Sequence, residues 1–428
     1  MKVLIISYNP LTLYNNGGKY ILSLFSTFSK DEMCQLYFKD ILPDKARCES
    51  YYRVTDKDVL ESFCMKGNQH ELSEKELEEN TSNKIINYHL NTDKYRYVKL
   101  LIRDAVWKLA PWQKDMYRWI EREKPDCIFS DTGDSCFIYD IAMEISRKYN
   151  LPIIASFGDD YYGIKVNKLS IIKRMQLFTL RKKLKQFVSK CTKVITINDM
   201  FSKYYSDVFS LPLGDKIFSM ANGSNYDFSE YNTISSNENS LKLGYLGNIS
   251  LGRGDNLLDI GKALVRINEK NHTNHELVVY AKDYLDFSVK CKGISSMNYK
   301  GFVSGEDFIS ALMSVDILIH TESFLKENVE MTRLSLSTKI ADSVNTGKCI
   351  LAYGPKNIAS MNHLEKNNCA HMIFNLDQLE NRLEILLNDK LLRESYILKA
   401  NECAKKYHNS ENNSKILKET FASIIEKR

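Results

Sequence analysis

The sequence predicts an α/β chain made of two tandem, doubly wound Rossmann-like domains facing a cleft. Three observations predict it. Short apolar runs alternate with helix-period patterns, as they do where parallel strands are joined by crossover helices. The alternation occurs twice, interrupted by the polar stretch 232–240, which reads NTISSNENS. The length of 428 residues also exceeds what one hydrophobic core usually organises.

The first series opens at residues 3–6, a wholly apolar run suited to a strand buried on both faces. Asn15-Asn16-Gly17-Gly18-Lys19 comes next, then apolar residues at 21, 22, 24, 25 and 28. Together they read as strand, glycine-bearing loop and helix. Further strands are expected at 127–130, 152–156 and 194–197, with helices at 139–149 and 171–188. Residues 50–95 are polar with weak periodicity and read as loops or helical excursions. The second series places strands at 241–246, 277–280, 317–320 and 349–352, and helices at 257–267, 305–313 and 338–344. Residues 414–428 carry apolar positions at 416, 417, 421, 424 and 425, the pattern of an amphipathic helix. The expected domains are therefore 1–232 and 241–410, with 411–428 crossing back to the first.

Composition narrows the function classes. A net charge of +5 over this length lacks the concentrated basic face that nucleic acid requires. Ten cysteines contain no CxxC pair, so reduced, buried thiols are expected rather than a zinc knuckle or disulfide scaffold. Eight histidines show no HExxH spacing, and no metal ligands are expected. The first apolar run is too short for a signal peptide or a spanning helix, so a cytoplasmic location is expected.

Four ordered blocks carry a family resemblance. They are the strand and loop from Lys2 to Gly18; Val194-Ile195-Thr196-Ile197-Asn198 with Met220-Ala221-Asn222-Gly223-Ser224; Leu243-Gly244-Tyr245-Leu246-Gly247-Asn248 with Gly252-Arg253-Gly254-Asp255; and Ser337-Thr338-Lys339-Ile340-Ala341-Asp342 running on to Gly347-Lys348 and Gly354-Pro355. In that order the chain resembles the GT-B glycosyltransferases, most closely retaining family 4 (glycosyltransferases group 1), of the bacterial polysaccharide and glycoconjugate type. The resemblance covers nearly the whole chain except residues 30–120. It implies transfer of a hexosyl or N-acetylhexosaminyl group from a nucleoside diphosphate sugar, UDP-sugar foremost, to a hydroxyl of a glycan or lipid-linked acceptor. It also implies retention of configuration and no bound divalent ion or other cofactor.

Candidate site residues follow from the same blocks. Gly17 and Gly18 bring backbone N–H groups toward a phosphate or acceptor at a helix start; the alternative is a plain tight turn. Gly247 closes a strand. Arg253, between glycines, matches the family's diphosphate-binding cation, and a guanidinium can grip two oxygens at once. The family's second basic residue is replaced by Asn248, which leaves Lys339 as the candidate for that duty. Ser335, Ser337 and Thr338 stand at a helix start suited to an anion or to simple N-capping. Asp342 matches the acid that holds the ribose hydroxyls. The first acid of the family's E-x7-E pattern falls on Leu334, and Glu322 is chosen from Glu322, Glu327 and Glu330 to replace it.

In the first domain the family's His-Asp pair is represented only by Asp159 and Asp160, with Asp159 expected to orient the acceptor or take its proton. Residues 168–190 hold eight Lys or Arg and no acid along an apolar stripe at 171, 172, 175, 178, 184, 187 and 188. Such a helix either packs on the sheet or lies on an anionic membrane at its cytoplasmic face. The rival functions are a non-catalytic subunit binding a partner enzyme or glycan, and a nucleotide-sugar 2-epimerase.

Overall fold

The computed structural model describes residues 1–427 except 14, 44–45, 65–69, 74–75, 78–95, 165–170 and 229–236. The chain divides into two compact units, Met1–Ala221 with Ser410–Arg428, and Asn222–Asn409. The division thus falls upstream of the polar stretch expected as a linker, part of which lies outside the described residues.

The first unit is built on an eight-stranded sheet. Its strands are β1 (Val3–Ser7), β2 (Met33–Tyr37), β3 (Ser50–Arg53), β4 (His70–Glu71), β5 (Cys127–Asp131), β6 (Ile153–Phe157), β7 (Lys193–Thr196) and β8 (Ile217–Ser219). The order is β4-β3-β2-β1-β5-β6-β7-β8. All neighbours are parallel except β3 and β4. Val3 to Ile6 are fully buried because helices cover both faces of a parallel sheet. The sequence pattern found β1, β5, β6 and β7; it passed over β2 to β4 and β8, which are short or lie where polar residues mask the period.

The C-terminal helix Ser410–Glu426 belongs to this unit. It buries Leu417, Phe421 and Ile424, the i, i+4, i+7 stripe of an amphipathic helix. Phe421 packs near Phe25 and Phe28, with ring centroids 6.3 Å from each. Ser414 Oγ accepts the Thr27 N–H at 3.0 Å, and Lys418 pairs with Glu32 at 2.7 Å.

The second unit holds a six-stranded parallel sheet of β9 (Lys242–Leu246), β10 (Glu276–Tyr280), β11 (Met297–Tyr299), β12 (Ile317–Thr321), β13 (Cys349–Tyr353) and β14 (His371–Ile373). Its order is β11-β10-β9-β12-β13-β14. The helix Arg253–Asn271 buries Leu257, Ile260, Ala263, Leu264 and Ile267 against it. Each fully buried Leu or Ile adds about 1.5–3 kcal/mol, and Leu264→Ala would cost about 2–5 kcal/mol.

Both sheets reverse direction of growth at one place: between β1 and β5 in the first, and between β9 and β12 in the second. Chains leaving two such strands diverge to opposite faces. The crevice left at their carboxyl ends is where doubly wound folds receive ligands.

Candidate functional site

In the second unit, the carboxyl ends of β9 and β12 assemble a compact charged cluster. Arg253 begins the helix that follows β9, and Glu322 directly follows β12. The Arg253 guanidinium donates to Glu322 Oε2 from Nε at 3.2 Å and from Nη2 at 2.8 Å. Both side chains are largely buried, at 17% and 5% exposure. The carboxylate's other oxygen, Oε1, accepts from Ser360 Oγ at 3.3 Å and stands 3.6 Å from His320 Nε2. Asn256, one turn into the same helix, donates to Thr321 Oγ1 and the Glu322 carbonyl, locking the end of β12.

Lys339 enters this cluster from the helix Thr338–Asn345. Its Nζ lies 3.4 Å from Tyr245 Oη and 4.8 Å from that ring's centre. Among the described residues it pairs with no carboxylate. Shielding from water, with a lesser contribution from the Arg253 charge, lowers its pKa to about 7 against the opposing pull of Glu322. His320 is likewise pushed down to about 4 by burial, so it is neutral at physiological pH.

Gly247 makes the arrangement sterically feasible. Its φ is +144°, and a Cβ there would lie 1.8 Å from Lys339 Nζ. Only a residue without a side chain leaves that volume to the ammonium. Gly252, at φ +75°, would place a Cβ 2.4 Å from Ser323 Oγ, and it lets the loop turn into the Arg253 helix. The Gly254 N–H donates to the Ile249 carbonyl of the preceding loop at 2.9 Å.

Ser337 is the N-cap of the Lys339 helix, and its hydroxyl makes no capping bond. Thr338 is partly exposed in the first turn, and its carbonyl accepts from Asn222 Nδ2 at 3.2 Å. Ser335 precedes that helix in a turn closed by its N–H to the Thr332 carbonyl. Asp342, one turn on, is buried and accepts the Ser224 hydroxyl at 2.9 Å. Glu327 and Glu330 lie on the helix Lys326–Thr332.

The structure therefore joins Gly247, Arg253, Glu322 and Lys339 in one cluster and sets Ser337, Thr338 and Asp342 on the helix that delivers Lys339. It also places Glu322 directly after β12, at the strand's carboxyl end. Both carboxylate oxygens are engaged by protein groups, Oε2 by Arg253 and Oε1 by Ser360. Sequence reading missed His320, Tyr245, Asn256 and Ser360. A buried Asn one turn after Arg253, on the helix's apolar face, was the one available signal.

The first unit's candidates form a separate group at the ends of β1, β5 and β6. Gly17 and Gly18 lie inside the first turn of the helix Asn16–Leu24, not in the loop before it. The Gly18 N–H is taken by Asn15 Oδ1 at 2.8 Å, and a Cβ on Gly18 would meet the Thr12 carbonyl at 2.5 Å. The glycine thus permits close backbone packing. Asp160 caps its own loop, accepting from the Tyr162 and Gly163 amides and from Tyr205 Oη. Asp159 is exposed. Its negative charge acts on Asp131, whose carboxyl is raised to about 7, chiefly by desolvation. Behind them Tyr20 Oη and Ser156 Oγ share a 2.6 Å hydrogen bond.

No protein-family profile matches this chain, and no curated protein matches it. Solved structures do. The chain is similar to Anabaena Alr3699/HepE in complex with UDP, at TM-score 0.63 and 14% identity over 99% of this chain and 100% of that one. It is similar to WaaG, a glycosyltransferase involved in lipopolysaccharide biosynthesis, at TM-score 0.58 and 15% identity over 97% and 99%. Sucrose-phosphate synthase from Thermosynechococcus elongatus matches at TM-score 0.60 and 9% identity over all of both chains. At these identities the likeness establishes the GT-B fold.

Proposed function

We propose that this chain is a glycosyltransferase moving a sugar from a nucleoside diphosphate donor, UDP-sugar foremost, to a hydroxyl of a glycan or lipid-linked acceptor. The observation that carries the reading is the Arg253, Glu322 and Lys339 cluster at the β9/β12 switch point. Glu322 grips the guanidinium by its Nε and Nη2 edge, which leaves the Nη1 edge for phosphate oxygens. Among the described residues Lys339 has no carboxylate partner, and it sits above a glycine that leaves room for its ammonium. Two cations so placed can neutralise the diphosphate as the glycosidic bond breaks, which is the electrostatic work such a transfer requires. A divalent ion is then not needed for the leaving group.

Other donor contacts follow from position. The Ser337 hydroxyl and the start of the Thr338–Asn345 helix suit a phosphate oxygen. Asp342, exchanging its Ser224 partner, suits a ribose hydroxyl. In the first unit, Asp159 with Asp131 is assigned to the acceptor, since a carboxyl poised near neutrality can take a hydroxyl proton. Among the similar solved structures, Alr3699/HepE is in complex with UDP-glucose, which supports uracil as the base. Retention of configuration rests on the family resemblance.

The helix Ile171–Lys190 supports a peripheral membrane contact. Leu184, Phe187 and Val188 of its stripe are buried on the fold, whereas Ile171, Ile172, Met175 and Phe178 are exposed beside Arg174, Lys182 and Lys185. Lys183 is engaged with Asp140 at 2.5 Å. No described helix is long and apolar enough to cross a membrane. Combining Phe178→Ala with Lys182→Glu and Lys185→Glu should release the protein from phosphatidylglycerol vesicles; unchanged sedimentation would retire the contact.

The deciding experiment is a thermal-shift screen with UDP, GDP, ADP, CMP and TDP in the absence of metal. A ligand that binds only the folded state stabilises it by about 2.7 kcal/mol at a hundred times its Kd. The expected result is a rise with UDP and little with uridine. No rise with any diphosphate would overturn the donor assignment.

A further inference from the structure

The second unit contains a cluster of chemistry-bearing side chains remote in sequence from the Arg253 site. His363 lies on the helix Ala359–Lys366, Cys403 on the helix Lys390–Tyr407, and His408 directly after that helix. His363 Nε2 and His408 Nε2 are 3.0 Å apart, and Cys403 Sγ is 3.4 Å from His363 Nε2. All three donor atoms lie within 4.8 Å of one another. Cys403 and His408 are buried, while His363 is partly exposed.

The protonation pattern is informative. His408 Nδ1 lies 2.7 Å from the Asn222 carbonyl, an atom that can only accept. Nδ1 therefore carries the proton, and in the neutral ring Nε2 presents a lone pair to the cluster. Two imidazole nitrogens and a sulfur thus converge within 4.8 Å. A cation satisfies all three at once.

We propose that His363, Cys403 and His408 bind a zinc ion, with water in the fourth position. Zinc takes nitrogen at about 2.0–2.1 Å and thiolate sulfur at about 2.3 Å, so a tetrahedral site has edges of about 3.3 Å between nitrogens and about 3.5 Å between nitrogen and sulfur. The two measured edges, 3.0 and 3.4 Å, need only small adjustment. The Asn222 carbonyl on His408 Nδ1 is the outer contact that orients zinc-bound imidazoles and fixes their tautomer. The ion would cross-link two helices to the backbone where the chain enters and leaves the unit, at Asn222 and His408. It has no part in the Arg253 chemistry.

The test is a cobalt titration of full-length protein carrying Cys64→Ser, which removes the one exposed cysteine, after treatment with a chelator. The expected result is one Co²⁺ per chain, with tetrahedral d–d bands and a sulfur-to-cobalt charge-transfer band, both erased by one equivalent of Zn²⁺. Zinc should also raise the melting temperature of the stripped protein. Cys403→Ser should abolish the charge-transfer band, and His363→Asn, at the partly exposed position, should weaken cobalt binding at least about tenfold. Absence of the band in the folded Cys64→Ser protein, or its survival in Cys403→Ser, overturns the proposal. The first of these outcomes does not depend on any ligand variant folding.

Discussion

The two switch points of this molecule share a topology and oppose each other in charge. At β9/β12 the loops present Arg253 and Lys339 around a single buried acid, Glu322. At β1/β5 and the adjoining end of β6 they present Asp131 and Asp159, with Tyr20 and Ser156 behind. Desolvation acts in both places and shifts the ionisable groups in opposite directions: the lysine falls to about 7 and the aspartic acid rises to about 7. The backbone therefore decides where a ligand is received, and the side chains at the strand ends decide its charge. One end is suited to an anion, the other to a neutral group that gives up a proton.

The sharpest way to break this comparison is Arg253→Ala. Charge-assisted hydrogen bonds to phosphate contribute about 1.5–3 kcal/mol each. Losing two should weaken UDP binding by about a hundredfold or more while leaving uridine binding unchanged, as calorimetry can determine. Equal loss for both ligands would remove Arg253 from phosphate recognition. Leaving Glu322 buried without its partner should also cost about 3–5 kcal/mol of stability. Measuring binding below the variant's melting range separates the two effects.

Gly247→Ala comes next. A Cβ 1.8 Å from Lys339 Nζ must displace the ammonium, and a positive φ adds strain. UDP affinity should fall roughly tenfold, equivalent to about 1.4 kcal/mol. Wild-type affinity would show that Lys339 has no phosphate contact.

Acidity sharpens the contrast further. A bound diphosphate raises the Lys339 pKa above its free value of about 7. Affinity is then fully developed below pH 7 and declines as pH rises toward the bound-state pKa, by up to about tenfold per unit. Lys339→Met should flatten that dependence. A wild-type profile flat between pH 6 and 9 would contradict the assignment.

The smallest effect is expected at the acidic end. The folded chain holds the Asp131 proton up to about pH 7, whereas the unfolded chain releases it near pH 4. Stability is therefore lost as pH rises through that window. Asp131→Asn should stabilise the protein above pH 7 by about 1–3 kcal/mol, with the gain vanishing toward pH 4. A denaturation midpoint raised equally at both ends would indicate a packing effect instead.

Much of the fold was legible because burial on both faces writes a parallel strand as an unbroken apolar run. Residues 3–6, 127–129 and 317–319 are of that kind, and each lies in a strand. The short strands β8, β11 and β14 have three residues each, too few for a period to emerge. The candidate site was legible where glycine punctuates a strand end, at Gly247 and around Arg253. The Glu322 pairing was not, since it joins residues 69 apart and depends on β9 lying beside β12.

By itself, then, the sequence determined the class of each major element, the doubling of the α/β pattern, and the glycines, cations and acids available at strand ends. These follow from local periodicity and from backbone freedom at single residues. Tertiary structure alone decided which strands are neighbours, and with that which carboxylate faces Arg253, which glycine makes room for Lys339, and that His363 meets Cys403 and His408. Such contacts are set by the packing of segments distant in the chain, and desolvation at those contacts determines the charge each group carries.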